Sequence, residues 1–249
     1  MKEEIKDIEL ELSKFPSSVL DEFKTAMNSM SSMIEEPYFS SWARQGVQIA
    51  QKTVRSWEAA AEYYKSSMDV SKFVSGADLL HWGQCGLNLC DQSPGLAVSF
   101  FKSSTGSRLQ NLNSKKISDW AELGSRLYKG TWKSSALASK FFESSGSILE
   151  DLTDIELREF GDFVELISRK SIDVATECLI LSKDVLPSID SNRSDFIKMV
   201  SSVAENNWRE VKSCFEYAPR FIQSFEQSQR GRFINLSASI AKNNLPNLS

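Results

Sequence analysis

The chain has 249 residues, of which 41% are hydrophobic and 25% charged. This is the composition of a globular protein able to bury a sizeable core, which excludes a disordered or fibrous class. A net charge of −4 argues against nucleic acid as the main partner, because phosphate binding needs a basic face. The charged opening MKEEIKDIELELSKF is unlike a signal peptide and there is no apolar run of 18 residues, so a cytoplasmic chain without a transmembrane segment is expected.

Residues 2–14 and 17–34 read as two helices broken near Phe15-Pro16-Ser17. Val19, Leu20, Phe23, Met27, Met30 and Met33 recur at helical spacing in the second. Residues 1–40 are therefore expected to be an N-terminal helical cap, a degenerate first hairpin of a repeat array.

The repeat itself opens at Trp42 and returns at Trp82, Trp120, Phe160, Phe196 and Phe233, with intervals of 40, 38, 40, 36 and 37 residues. Four residues on stand Gly46, Gly86, Gly124, Val164 and Val200. Seven on stand Ile49, Leu89, Leu127, Ile167, Val203 and Ile240. These three positions share one face of a helix A of about ten residues. A glycine in that stripe suits close approach of another backbone, since glycine inside a helix otherwise costs roughly 1 kcal/mol.

Eleven residues after each aromatic comes Thr53, Ser93, Thr131, Ser171, Asn207 or Asn244, every one a good N-cap for a second, somewhat longer helix B. Gly130 fits the stop before Thr131. Val54, Pro94, Trp132, Ile172 and Trp208 follow the caps, and Trp57, Trp132 and Trp208 read as packing residues rather than ligand platforms. Helix B carries the pairs Tyr63-Tyr64, Phe100-Phe101 and Phe141-Phe142; Ser66-Ser67, Ser103-Ser104 and Ser144-Ser145 then lead into loops. The pattern decays through Leu179–Leu181 and through Phe215, Tyr217 and Pro219. A two-helix unit cannot bury both its faces alone, so the expected fold is all-α, an α-solenoid of stacked hairpins with a repeat of about 36–40 residues. The array spans residues 41–232, and 233–249 form a partial repeat or C-terminal cap, the incomplete last unit favouring the N-terminal part of a longer protein.

Catalytic constellations are missing. The single histidine, His81, reads as an exposed helix residue, and neither HExxH nor ExxH occurs. The four cysteines (Cys85, Cys90, Cys178, Cys214) form no CxxC pair and read as small buried residues rather than metal ligands. GQCG at 83–86 lies on a helix face, unlike a phosphate loop. DQSPG at 91–95 has glycine where a DxSxS metal loop needs serine. Glu3-Glu4, Glu35-Glu36 and the basic group Lys102, Lys115, Lys116, Arg126, Lys129 and Lys133 read as solvated surface. No catalytic, cofactor or metal residue is assigned.

The unit W-A-x-x-G-x-x-L, carried by Trp42, Gly46, Trp82, Gly86, Trp120 and Gly124 and followed by a capped helix ending in an aromatic pair and Ser-Ser, resembles helical repeats that precede the von Willebrand A domain in bacterial relatives of nitric oxide reductase accessory proteins. The likeness covers residues 40–218. It implies a scaffold beside a metal-dependent adhesion domain outside this chain, with an AAA+ ATPase partner, and it carries over no site residue. The expected function is a non-enzymatic scaffold that binds a protein or peptide along one surface. The alternatives are a helical-repeat nucleic-acid module using the third-unit basic residues, and a surfactant-like protein on a granule or membrane surface.

Overall fold

A computed structural model describes residues 2–104, 113–224, 226, 229, 231–232, 234 and 236–237. Phe233, Ile240 and Asn244, on which the sixth unit rests, lie outside the described residues.

The protein is all-α, with no strand among the described residues. In chain order the helices are α1 (Lys2–Leu12), α2 (Ser17–Met33), α3 (Glu36–Gln51), α4 (Ser56–Val70), α5 (Gly76–Gln92), α6 (Pro94–Ser103), α7 (Ser114–Leu127), α8 (Trp132–Gly146), α9 (Asp154–Ser168), α10 (Ile172–Ile189), α11 (Arg193–Asn207) and α12 (Val211–Ser224). The chain divides into two compact units, Met1–Gly130 and Thr131–Ser249, with the boundary in the turn between α7 and α8. Gly130 holds φ 74° there, a left-handed conformation that glycine adopts without steric cost.

The first unit has two layers. Helices α1, α3, α5 and α7 follow one another in one layer, and α2, α4 and α6 in the other. The second unit repeats the scheme with α9 and α11 in one layer and α8, α10 and α12 in the other. We call the layer of α3, α5 and α7 the A layer.

Helix A is longer than its apolar stripe predicts: α3, α5, α7, α9 and α11 have 16, 17, 14, 15 and 15 residues. The reason is a cap set seven residues before the aromatic. The side chains of Ser75, Asn113 and Thr153 accept from the backbone amides of Asp78, Lys116 and Glu156. Each satisfies an N–H that the new helix leaves free, and Thr153 with Glu156 closes a reciprocal capping box.

The cap column eleven residues after the aromatic holds at some units and fails at others. Thr131 caps α8 in a capping box with Ser134, and Ser171 accepts from Val174 N at 3.3 Å. Ser93 stands at the cap position of α6 with its side chain unused. Thr53 is not a cap: α4 starts at Ser56 after Arg55 turns through φ 75°, two residues later than a cap at Thr53 would start it. Asn207 precedes a 3-10 turn at Trp208–Glu210 and also makes no side-chain cap bond.

The stripe is core. Trp42, Ile49, Trp82, Leu89, Trp120, Leu127, Phe160, Val164, Ile167, Phe196 and Val200 are all buried, as are the three aromatic pairs. The two rings of a pair divide the work. The first reaches forward to the next unit's aromatic: Tyr63 to Trp82 at 5.4 Å, Phe100 to Trp120 at 5.0 Å, Phe141 to Phe160 at 6.3 Å between centroids. The second folds back on its own hairpin: Tyr64 to Trp42 at 5.4 Å and Phe101 to Trp82 at 4.8 Å.

That backward ring explains the glycines at Gly46 and Gly86, where it takes the place of the expected backbone contact. A Cβ on Gly46 would overlap the Tyr64 ring, and one on Gly86 would overlap the Phe101 ring. Such tilted or edge-on pairs stabilise by about 0.5–1.5 kcal/mol beyond their area burial.

The serine pairs stand near the ends of the B helices, ahead of the loops, and are largely buried: Ser66, Ser67, Ser104, Ser144 and Ser145 are inside and Ser103 is half-buried. Ser104 Oγ accepts the Trp82 indole N–H at 2.9 Å and donates to Phe100 O at 2.7 Å, so the hydroxyl satisfies a donor that the aromatic core would otherwise strand.

Candidate interaction surface

With positions 0, 4 and 7 turned inward, positions 2 and 6 of each A-layer helix face solvent. They are Arg44 and Gln48 on α3, Gln84 and Asn88 on α5, and Glu122 and Arg126 on α7; all are exposed except Arg126, which is half-buried. Two shallow clefts run between these helices. The first is lined by Ser41, Arg44, Gln45 and Gln48 of α3 against Leu80, His81 and Gln84 of α5. The second has Cys85, Asn88 and Gln92 of α5 against Ser118, Glu122 and Ser125 of α7.

Polar bridges fix the spacing of the helices beneath the clefts. Glu4 on α1 accepts from Arg44 Nε at 2.9 Å and Ser40 Oγ at 3.0 Å on α3. Those two bonds hold its carboxyl below the usual carboxylate range, Arg44 contributing most. Gln45 donates to Leu80 O at 3.0 Å and accepts from the Tyr63 hydroxyl at 3.1 Å, and Lys52 meets Asp91 at 3.1 Å. At the start of the layer Asp78 of α5 accepts from Ser114 N of α7 at 3.1 Å and from Ser75 Oγ at 2.7 Å. Hydrogen bonds from Ser114 and then Ser75 lower its pKa.

His81 is half-buried, not exposed as its sequence context predicts. Its Nε2 lies 2.6 Å from Ser118 Oγ on α7 and 3.7 Å from Cys85 Sγ. A thiol beside an imidazole invites comparison with a nucleophile and its base. Burial instead pushes the Cys85 thiol up to about 11, so at neutral pH it is the un-ionised thiol, a weak nucleophile. Cys90 and Cys178 are pushed up to about 12 by the same cause, and Cys214, half-buried, is also raised. Among the described residues no group of three or more His, Cys, Asp or Glu side chains is placed to hold a metal ion.

The repeat positions named from sequence therefore lie beneath the surface or at its turns. Trp42, Gly46, Trp82, Gly86, Trp120, Gly124, Phe160 and Phe196 are in the core, and Thr53, Ser93, Thr131, Ser171 and Asn207 stand at the A-to-B turns. Two further expectations change. Lys116, at the start of α7, is buried and does not belong to a solvated basic face. Trp132 does not begin the core of helix B: it is 77% exposed, Val54 in the same column is 91% exposed, and Trp57 and Trp208 are half-buried. The first residue of a helix lies over the turn that precedes it, and here that turn faces water.

Compared with known proteins, the chain matches no family model, no curated protein and no solved structure. No described helix is long and apolar enough to cross a membrane.

Proposed function

We propose that this protein is a non-enzymatic scaffold of stacked helical hairpins that holds a segment of a partner protein against the exposed face of α3, α5 and α7. The observation that carries this reading is the polar lining of the two clefts by the amides of Gln48, Gln84, Asn88 and Gln92. Gln84 donates to Asn88 at 2.9 Å and Gln92 to Ser125, which leaves the Gln48 amide, the Asn88 N–H groups and the Gln84 and Gln92 carbonyls turned to the clefts. An amide both donates and accepts, as does the main chain of a polypeptide, so such side chains suit a peptide backbone better than an ion or an apolar ligand. Packed helices are spaced about 8–10 Å apart and an extended chain rises about 3.3 Å per residue. Equivalent amides on successive hairpins would thus meet about every third residue of an extended segment. The charged groups nearby support the same reading, because Arg44 with Glu4 and Lys52 with Asp91 are paired within the protein.

Selection of a random peptide library on the full chain tests this. Peptides enriched on the parent should lose binding to the variant carrying Gln48→Ala, Gln84→Ala and Asn88→Ala. These exposed side chains are dispensable for folding, so the variant keeps the parent helicity. Equal enrichment on parent and variant would place the binding elsewhere and defeat the proposal.

A further inference from the structure

The residues just after the A-to-B turns form a different surface. In the second unit, Trp132 opens α8, Ile172 opens α10, and Trp208 opens the 3-10 turn leading into α12. Helices α8, α10 and α12 lie side by side in one layer, so these three turns share one edge of the unit. Trp132 is 77% exposed, and Ile172 and Trp208 are half-buried. Both indoles carry a cation from the next residue: Lys133 Nζ lies 5.8 Å from the Trp132 centroid, and the Arg209 guanidinium carbon 5.3 Å from that of Trp208. Lys170 is exposed two residues before Ile172.

Apolar side chains left wholly or partly in water at the same turn of three neighbouring hairpins make an edge that another surface can cover. We propose that this edge seats on an anionic lipid surface, with Trp132, Ile172 and Trp208 entering the headgroup layer and Lys133, Lys170 and Arg209 meeting lipid phosphates. Three features select lipid over other occupants. The apolar residues share hydrophobicity but no common shape, which is all that a bilayer interface requires. Tryptophan beside lysine or arginine is the combination that membrane–water interfaces favour. Neighbouring helices about 8–10 Å apart place Trp132 and Trp208, two helices apart, too widely to stack on successive bases of a nucleic-acid strand, and Ile172 between them has no ring.

Arg169, in the same turn as Lys170, is paired with Glu165 at 2.7 Å, and Asp173 and Glu210 offset two of the other three cations, leaving an excess of one. Lipid charge therefore tunes a contact made mainly by the apolar side chains. One net cation near an anionic leaflet corresponds to roughly fivefold tighter binding.

The test is co-sedimentation of the full chain with unilamellar vesicles, read together with tryptophan emission. The parent should bind phosphatidylcholine vesicles and bind roughly fivefold more tightly when about 30% of the lipid is phosphatidylserine. Its emission should shift to the blue, because Trp132 leaves water. The double variant Trp132→Ala, Trp208→Ala should bind roughly tenfold or more weakly with unchanged circular dichroism. Absence of vesicle binding by the parent, equal binding by the double variant, or tighter binding to a single-stranded oligonucleotide than to the vesicles would each overturn the proposal. The peptide face of α3, α5 and α7 has no part in this assay, so the two proposals stand or fall separately.

Discussion

Replacing Gly86 with alanine isolates the contact on which the hairpin packing depends. In an unconstrained helix interior the change would stabilise by about 1 kcal/mol through propensity. Here the new Cβ would land on the outer edge of the Phe101 ring. That ring has no room to retreat: it is fully buried, 4.8 Å from Trp82, 5.4 Å from Tyr63 and 5.6 Å from Phe100 between centroids. Overpacking a well-filled core costs about 1–3 kcal/mol, and a rigid ring held on three sides puts this site at the upper end. The net expectation is a loss of about 2 kcal/mol, or about 4–8 °C in Tm, by urea and thermal unfolding followed by circular dichroism. Gly95→Ala in α6 is the control. Its Cβ would meet only Ser93 Oγ at 3.6 Å, so a gain of about 0.5–1 kcal/mol is expected. Adding Phe101→Leu to Gly86→Ala should recover part of the loss, with a coupling of about 0.5–3 kcal/mol. A Gly86→Ala protein as stable as the parent, or strictly additive effects in the cycle, would refute the reasoning.

Three further outcomes follow from the same structure. Ser104→Ala strands the buried Trp82 indole N–H and should cost about 1–3 kcal/mol in urea unfolding, whereas Ser99→Ala, on an exposed hydroxyl, should cost under about 0.5 kcal/mol. Asp78→Asn should destabilise by about 1 kcal/mol at neutral pH. Because the folded carboxyl titrates below its ordinary value, its contribution is complete above that value and is lost as pH falls through the lowered one; parent and variant should therefore converge in acid, as unfolding curves at a series of pH values would report. With thiols pushed up to about 12, Cys90 and Cys178 should resist iodoacetamide at pH near 8 in the native protein and react fully in denaturant, read by mass spectrometry.

The core was legible because burial imposes a period. Aromatic and aliphatic residues at positions 0, 4 and 7 can share a helix face only if that face is inward, and the structure buries nearly all of them. Helix starts were less legible. Anchoring on the column from Thr53 to Asn207 catches the caps at Thr131 and Ser171 but passes over Ser75-x-x-Asp78 and Thr153-x-x-Glu156, whose acidic third residue is the better start signal. Trp132 illustrates a limit of pattern reading. An apolar residue after a cap looks like the first core contact, yet its exposure depends on the course of the preceding turn. The role of Ser104 was similarly hidden, since it depends on where the indole edge of Trp82 points. The polar column Arg44, Gln48, Gln84, Asn88 was present in the sequence at a fixed offset, but solvent-facing positions on a repeat carry no signal that separates a binding face from ordinary surface.

The most direct test of the account is the side-chain amide resonances in a nitrogen-15 spectrum of the full chain, recorded while a library-selected peptide is added. Saturable shifts are expected at the side-chain amides of Gln48, Gln84 and Asn88, on α3 and α5. Shifts confined to residues of α4, α6 or α8 to α12, with those three amides unmoved, would contradict it.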